Sequence, residues 1–87
     1  MADRKDFLIV EYEPDFQKNF SRLDKGIKIK VEKALIRIIT NPEIGKPIRY
    51  ARKGTREVYI PSFRLSYTYI PNENKIIILA LYHKDKQ

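Results

Sequence analysis

The chain of 87 residues has no cysteine, no tryptophan, one methionine and one histidine. The lack of cysteine excludes disulfide staples, thiolate zinc sites and a cysteine nucleophile together. A lone histidine, His83, excludes a histidine-based metal cluster or a two-histidine acid/base pair within one chain. No metal and no cofactor are therefore expected. Apolar runs are short as well, and none approaches the ~20 residues that span a bilayer. The opening segment, Met1-Ala2-Asp3-Arg4-Lys5-Asp6, leads into an apolar run that ends almost at once, so no signal peptide is expected. The expectation is a cytoplasmic protein with no membrane partner.

What the chain does have is positive charge on a globular composition. Hydrophobic residues make up 43% and charged residues 33%, unlike a disordered tail. The length predicts one domain over residues 1–87, because a single core needs most of it. Lys and Arg number 18 against 11 Asp and Glu, a formal net charge of +7. Most of the excess lies in one stretch: Lys46, Arg49, Arg52, Lys53, Arg56 and Arg64, with Glu57 the only acid among them, carry +5. Cations gathered within a Debye length of ~8 Å sum their potentials over an approaching polyanion. The stretch therefore predicts an anionic partner, with a merely solubilising surface as the alternative. Tyr50, Tyr59, Phe63 and Tyr67 are interleaved with these cations, and such rings either stack on bases or fill a core.

The pattern of apolar residues predicts the elements. Residues 6–13 (DFLIVEYE) read as a strand, and Pro14-Asp15 as the turn into a helix. Phe16, Phe20, Leu23 and Ile27 recur at helical spacing, interrupted at Asp24 and Gly26. A short helix, a tight corner and a longer helix follow from this. In the longer helix Ile27, Val31, Ala34, Leu35, Ile38 and Ile39 form a stripe, and Asn41-Pro42 ends it. Residues 43–54 read as an extended loop with a short strand around Ile48. Residues 56–60, 63–70 and 75–82 read as strands, joined by turns at Pro61-Ser62 and Pro71-Asn72-Glu73-Asn74. Phe63, Leu65, Tyr67 and Tyr69 alternate with Arg64, Ser66 and Thr68, so one face is apolar and the other polar. The predicted fold is α+β, in the order β-α-α-β-β-β: an antiparallel sheet covered on one face by two N-terminal helices. Ile27, Val31, Leu35 and Ile38 are expected to face Leu65, Tyr67, Ile77 and Leu79.

Several local features together resemble one family. They are the helical pair ending in Asn-Pro, the Lys46-Pro47-Ile48 loop, and Gly54 ahead of a basic strand. The strongest is Phe63-Arg64-Leu65-Ser66-Tyr67, followed by Tyr82-His83-Lys84-Asp85 at the close of the last strand. In order and spacing, over residues 7–86, the chain resembles the RelE/ParE superfamily, the small toxins of type II toxin–antitoxin pairs.

The resemblance implies a cognate antitoxin partner and one of three functions. RelE-like members cut messenger RNA in the ribosomal A site, which makes the ribosome, its RNA and the message partners. ParE-like members poison DNA gyrase without being nucleases, and a binding module on the same fold is the third reading. The nuclease reaction is attack of a ribose 2′-hydroxyl on the adjacent phosphate, and it needs a base, a cation and a proton donor. By resemblance, Arg64 matches the arginine on the scissile phosphate and Lys84 a second catalytic cation. Arg56 stands where the family carries basic residues, and His83 has the chemistry of an acid or base near neutral pH. Lys46, Arg49, Arg52 and Lys53 then read as RNA-binding. Glu57 and Tyr59 stand where RelE-like sequences often show Arg or Lys. The tyrosine that RelE-like toxins often carry past the final basic motif is absent, leaving Tyr82 or Tyr59 as substitutes.

Overall fold

The computed structural model describes residues 8–49 and 54–86. In chain order it contains β1 (Ile9–Tyr12), α1 (Pro14–Ser21), α2 (Lys25–Thr40), β2 (Lys46–Pro47), β3 (Thr55–Ile60), β4 (Phe63–Ile70) and β5 (Lys75–His83), with short 3-10 turns at Pro71–Glu73 and Lys84–Lys86. Pro14 sits in the first turn of α1, where a missing N–H leaves nothing unsatisfied. Asp24 caps α2 by accepting a hydrogen bond from the Ile27 amide at 2.9 Å. At the far end Asn41, ahead of Pro42, leaves the helical region. The helix–corner–helix arrangement is the one the sequence predicts.

The sheet runs in the order β1-β5-β4-β3-β2. Strands β3 to β5 form the predicted antiparallel meander and β2 adds to its edge, also antiparallel, but β1 lies parallel to β5, so the sheet is mixed. The cause is topological. The helical hairpin returns the chain to the end of the sheet where β1 finished, and the reversals from β2 to β5 then bring β5 alongside β1 in the same sense. Both helices cover one face. Phe16 of α1 and Val31, Ala34 and Ile38 of α2 are buried there, α1 over β5 and α2 against β3. Tyr12, Phe16 and Phe20 stack in succession at 5.6 Å between ring centroids, and the Asn19 amide donates to the Leu81 carbonyl at 2.8 Å.

The strand residues beneath the helices differ in part from expectation. Leu65 and Tyr67 are fully buried, but on β5 the buried residues are Ile76, Ile78 and Leu81 rather than Ile77 and Leu79. Ser66 faces Ala80 while Tyr67 faces Ile78, so Leu79 is an extra residue at a bulge. A bulge reverses the alternation beyond it. Residues 76–81 are apolar throughout, so no period in the sequence marks which positions turn inward. Ile39, placed in the helical stripe by its spacing, is 39% exposed, and Leu35 packs only against the edge of the core. The short strand expected around Ile48 is centred one residue earlier, with the Ile48 amide donating to the Thr55 carbonyl.

One buried hydroxyl fastens the loop after α2 to the sheet. Tyr67 Oη donates to the Pro42 carbonyl at 2.7 Å and accepts from the Gly45 amide at 2.8 Å. Arg56 Nη1 donates to the Gly45 and Glu43 carbonyls at 2.7 and 3.0 Å. Gly45 is required by space, since a Cβ there would lie 2.7 Å from the Tyr67 ring and 2.9 Å from Arg56 Cβ. Tyr67→Phe should leave two polar backbone groups unmatched and cost about 1–3 kcal/mol. Gly45→Ala should cost a similar ~1–3 kcal/mol through overpacking. At this chain size each kcal/mol appears as a fall of roughly 4–8 °C in a thermal melt. Melts unchanged in both variants would remove the clasp from the account of stability.

Candidate functional site

The face of the sheet away from the helices is built by strand pairing. Arg64 lies between Tyr59 on β3 and Tyr82 on β5. In the next row Ser66 lies between Glu57 and Ala80, and Lys46 of β2 stands opposite Glu57. Small Ser66 and Ala80 leave room for larger neighbours to reach across. The Tyr82 hydroxyl crosses from β5 and donates to Glu57 Oε2. Ser66 is thereby buried, although it belongs to the uncovered face.

Arg64 has no acid partner among the described residues, because Glu57 is engaged by Tyr82. Its guanidinium instead lies over the Tyr59 ring, 3.9 Å from the centroid, a cation–π arrangement. Arg64 Nε is buried there without a hydrogen-bond partner, so part of the group's hydrogen-bonding capacity is unused. Burial, reinforced by the hydrogen bond and negative charge of Glu57, pushes the Tyr82 phenol up to about 12, against the opposing pull of Arg64. Tyr82 is therefore a proton carrier at neutral pH and Glu57 an acceptor beside it. Together with Arg64 they place an acceptor, a donor and a cation on one surface.

The residues expected from the sequence do not all converge here. Arg56 pairs with Tyr67, which puts it on the helix-covered face, and its guanidinium braces the 43–45 backbone. It does not join Arg64, because the two lie at opposite parity across the β3–β4 ladder. His83 pairs with Phe63 on that same covered face, edge-on to its ring at 5.3 Å. Its Nδ1 accepts from the Asp85 amide and lies 3.6 Å from the Asp85 carboxylate. Lys84 is exposed in the turn after β5, its amide held by the Ser62 carbonyl. Lys46 is exposed on the open face and Arg49 is exposed in the following loop. Arg52 and Lys53 fall outside the described residues, as does Tyr50. Sequence reasoning named Tyr82 and Tyr59 as substitutes and treated Glu57 only as a departure. The signal for the cluster was the alternation that places Glu57, Tyr59 and Arg64 on one face. Among the described residues no three His, Cys, Asp or Glu side chains are grouped to hold a metal ion. No helix among them is long and apolar enough to cross a membrane.

A mixed five-stranded sheet thus carries a helical hairpin on one face and an arginine–tyrosine–glutamate cluster on the other. The description "ParE toxin of type II toxin-antitoxin system, parDE" matches residues 10–87, and the chain belongs to that family. It is a toxin of the RelE/ParE superfamily. The fold is similar to that of the isolated RelE toxin of E. coli (TM-score 0.78, 12% identity, over 92% of this chain and 87% of that one). It is also similar to the RelBE2 toxin–antitoxin complex of Mycobacterium tuberculosis (0.74, 22%, 88% and 98%) and to the YoeB dimer of Staphylococcus aureus (0.71, 24%, 87% and 97%). Among curated proteins no relative matches the sequence.

The raised tyrosines give the fold a pH signature. Burial is the main cause that lifts Tyr67, partly offset by the Gly45 amide and by Arg56. A folded-state pKa above the unfolded value of ~10 means that stability is complete below pH ~10 and falls as pH rises through the folded value. In an ultraviolet titration of tyrosinate, one step near pH 12 should vanish in Tyr82→Phe. It should move down, without reaching the ordinary value, in Glu57→Gln, since burial remains. A Tyr82 step at ordinary pH in the wild type would contradict this geometry.

Proposed function

We propose that this toxin is a ribosome-dependent messenger RNA endonuclease, held inactive in the cytoplasm by a cognate antitoxin. The observation that carries the reading is the open-face cluster of Arg64, Tyr82 and Glu57. Arg64 holds the scissile phosphate and meets the charge that grows on the phosphorane. Glu57 takes the proton of the ribose 2′-hydroxyl, the 2′-oxygen bonds to phosphorus, and the 5′-oxygen leaves with a proton from Tyr82. The products are a cyclic phosphate and a free 5′-hydroxyl. Lys84, Lys46 and Arg49 serve as further cations along the message, and the ribosome supplies the positioning that so few groups cannot. Complexes of RelB with RelE among the similar folds support the antitoxin partner, as does the excess positive charge, which an acidic antitoxin would screen.

The test is cleavage of A-site message on programmed ribosomes by purified protein. Arg64→Ala should lower the rate by on the order of 10²–10³ and weaken ribosome binding less. Arg64→Lys should restore it in part, because an ammonium cannot span two phosphate oxygens. Tyr82→Phe and Glu57→Gln should slow cleavage without abolishing binding. Intact message with wild-type protein overturns the reading. The second reading, a ParE-like toxin directed at DNA gyrase, is favoured by the family match and by Glu57 at a position where nucleases of this kind carry a cation. DNA damage without translational arrest on expression would select it.

A further inference from the structure

Strand β2 is short, and it pairs only Lys46 and Pro47 with Glu57 and Arg56. From Val58 onward the outer edge of β3 has no neighbouring strand among the described residues. A cavity of about 220 Å³ lies there, walled by Arg37 of α2, Ile44, Lys46, and Glu57, Val58 and Tyr59 of β3. Tyr59 is 56% exposed. Arg64 covers one face of the ring and is absent from the walls of the cavity, which Tyr59 helps to form. Ile44 and Val58 add apolar wall. Arg37 and Lys46 add positive charge, and neither is within ion-pair distance of an acid among the described residues.

We infer that this cavity is a nucleobase subsite for single-stranded RNA. One base stacks on the free side of Tyr59, and its flanking phosphates lie against Arg37 and Lys46. The inference rests on the ribonuclease reading above and says where the strand runs beyond Arg64. The chemistry fits this ligand class: an aromatic platform with cations on the rim is how single strands are held. The volume is below the ~300–1,000 Å³ of sites for drug-sized ligands, a scale suited to one base. On α2, exposed Lys30, Lys33 and Arg37 recur at three- and four-residue steps, so a cationic flank leads to the cavity.

The experiment is fluorescence anisotropy with a labelled 2′-O-methyl heptaribonucleotide, whose blocked 2′-oxygens prevent cleavage. Tyr59→Ala should weaken binding on the order of 10- to 100-fold, the usual size of one base–aromatic stack, and Tyr59→Trp should retain it. An abasic position in the probe should weaken wild-type binding by the same factor and Tyr59→Ala binding no further. Because Tyr59 is exposed, its variants should melt with the wild type. Tyr59→Ala binding within twofold of wild type would overturn the subsite. A poly-glutamate peptide bound more tightly than the probe, and lost in Tyr59→Ala, would overturn it in favour of a protein-docking site. Tyr59-dependent binding by a protein that leaves ribosomal message intact would uphold the subsite and remove the nuclease. Cleavage that survives Tyr59→Ala with unchanged KM would remove the subsite alone.

Discussion

The hydroxyl of Tyr67 ties together parts of the chain that no local rule would join. It stands on the central meander strand, fully buried, and reaches the loop that follows α2. By donating to Pro42 and accepting from Gly45 it satisfies two backbone groups that would otherwise be stranded beside the core. Arg56, its cross-strand neighbour, fixes the carbonyls on either side. The loop so held sets where β2 meets β3, and with it the positions of Ile44 and Lys46 at the sheet edge. The edge cavity is thus a consequence of a hydrogen bond made on the opposite face.

Strand parity divides the basic residues between two tasks. Arg56 and Arg64 belong to one basic stretch, yet the hairpin places them on opposite faces of the sheet. On the covered side an arginine can be spent on backbone carbonyls. On the open side it meets an aromatic ring and keeps unused hydrogen-bonding capacity. Glu57, the one acid in the stretch, does not neutralise Arg64, because Tyr82 has claimed it. That separation leaves a half-buried cation, an acceptor and a protonated phenol side by side. The covered face gives stability to the sheet, and the open face is left free for chemistry or binding.

Membership of a toxin family bears on the same division. The residues that hold the fold together face the helices, so the open face can change its acid, base and cation set without loss of the core. Glu57 and Tyr59 stand on that open face, outside the core.

Much of the fold was legible in the chain because it rests on local rules. Pro14, Asp24 and Asn41-Pro42 mark the helices, and the Phe63–Ile70 alternation marks an amphipathic strand facing helices on one side. That alternation also assigned Arg64 to the polar face. What it left undecided were matters of register and partnership between distant residues. The 76–81 run is apolar at every position, so only pairing with β4, through the bulge at Leu79, selects Ile76, Ile78 and Leu81 for the core. Arg56 and His83 have the same chemistry wherever they stand, and only their cross-strand partners, Tyr67 and Phe63, place them on the covered face. The sequence by itself determined the elements, their order and the charge they carry, because these depend on neighbours a few residues apart. The tertiary structure alone decided which charges share a surface, because a one-residue change of register sends a side chain to the opposite face.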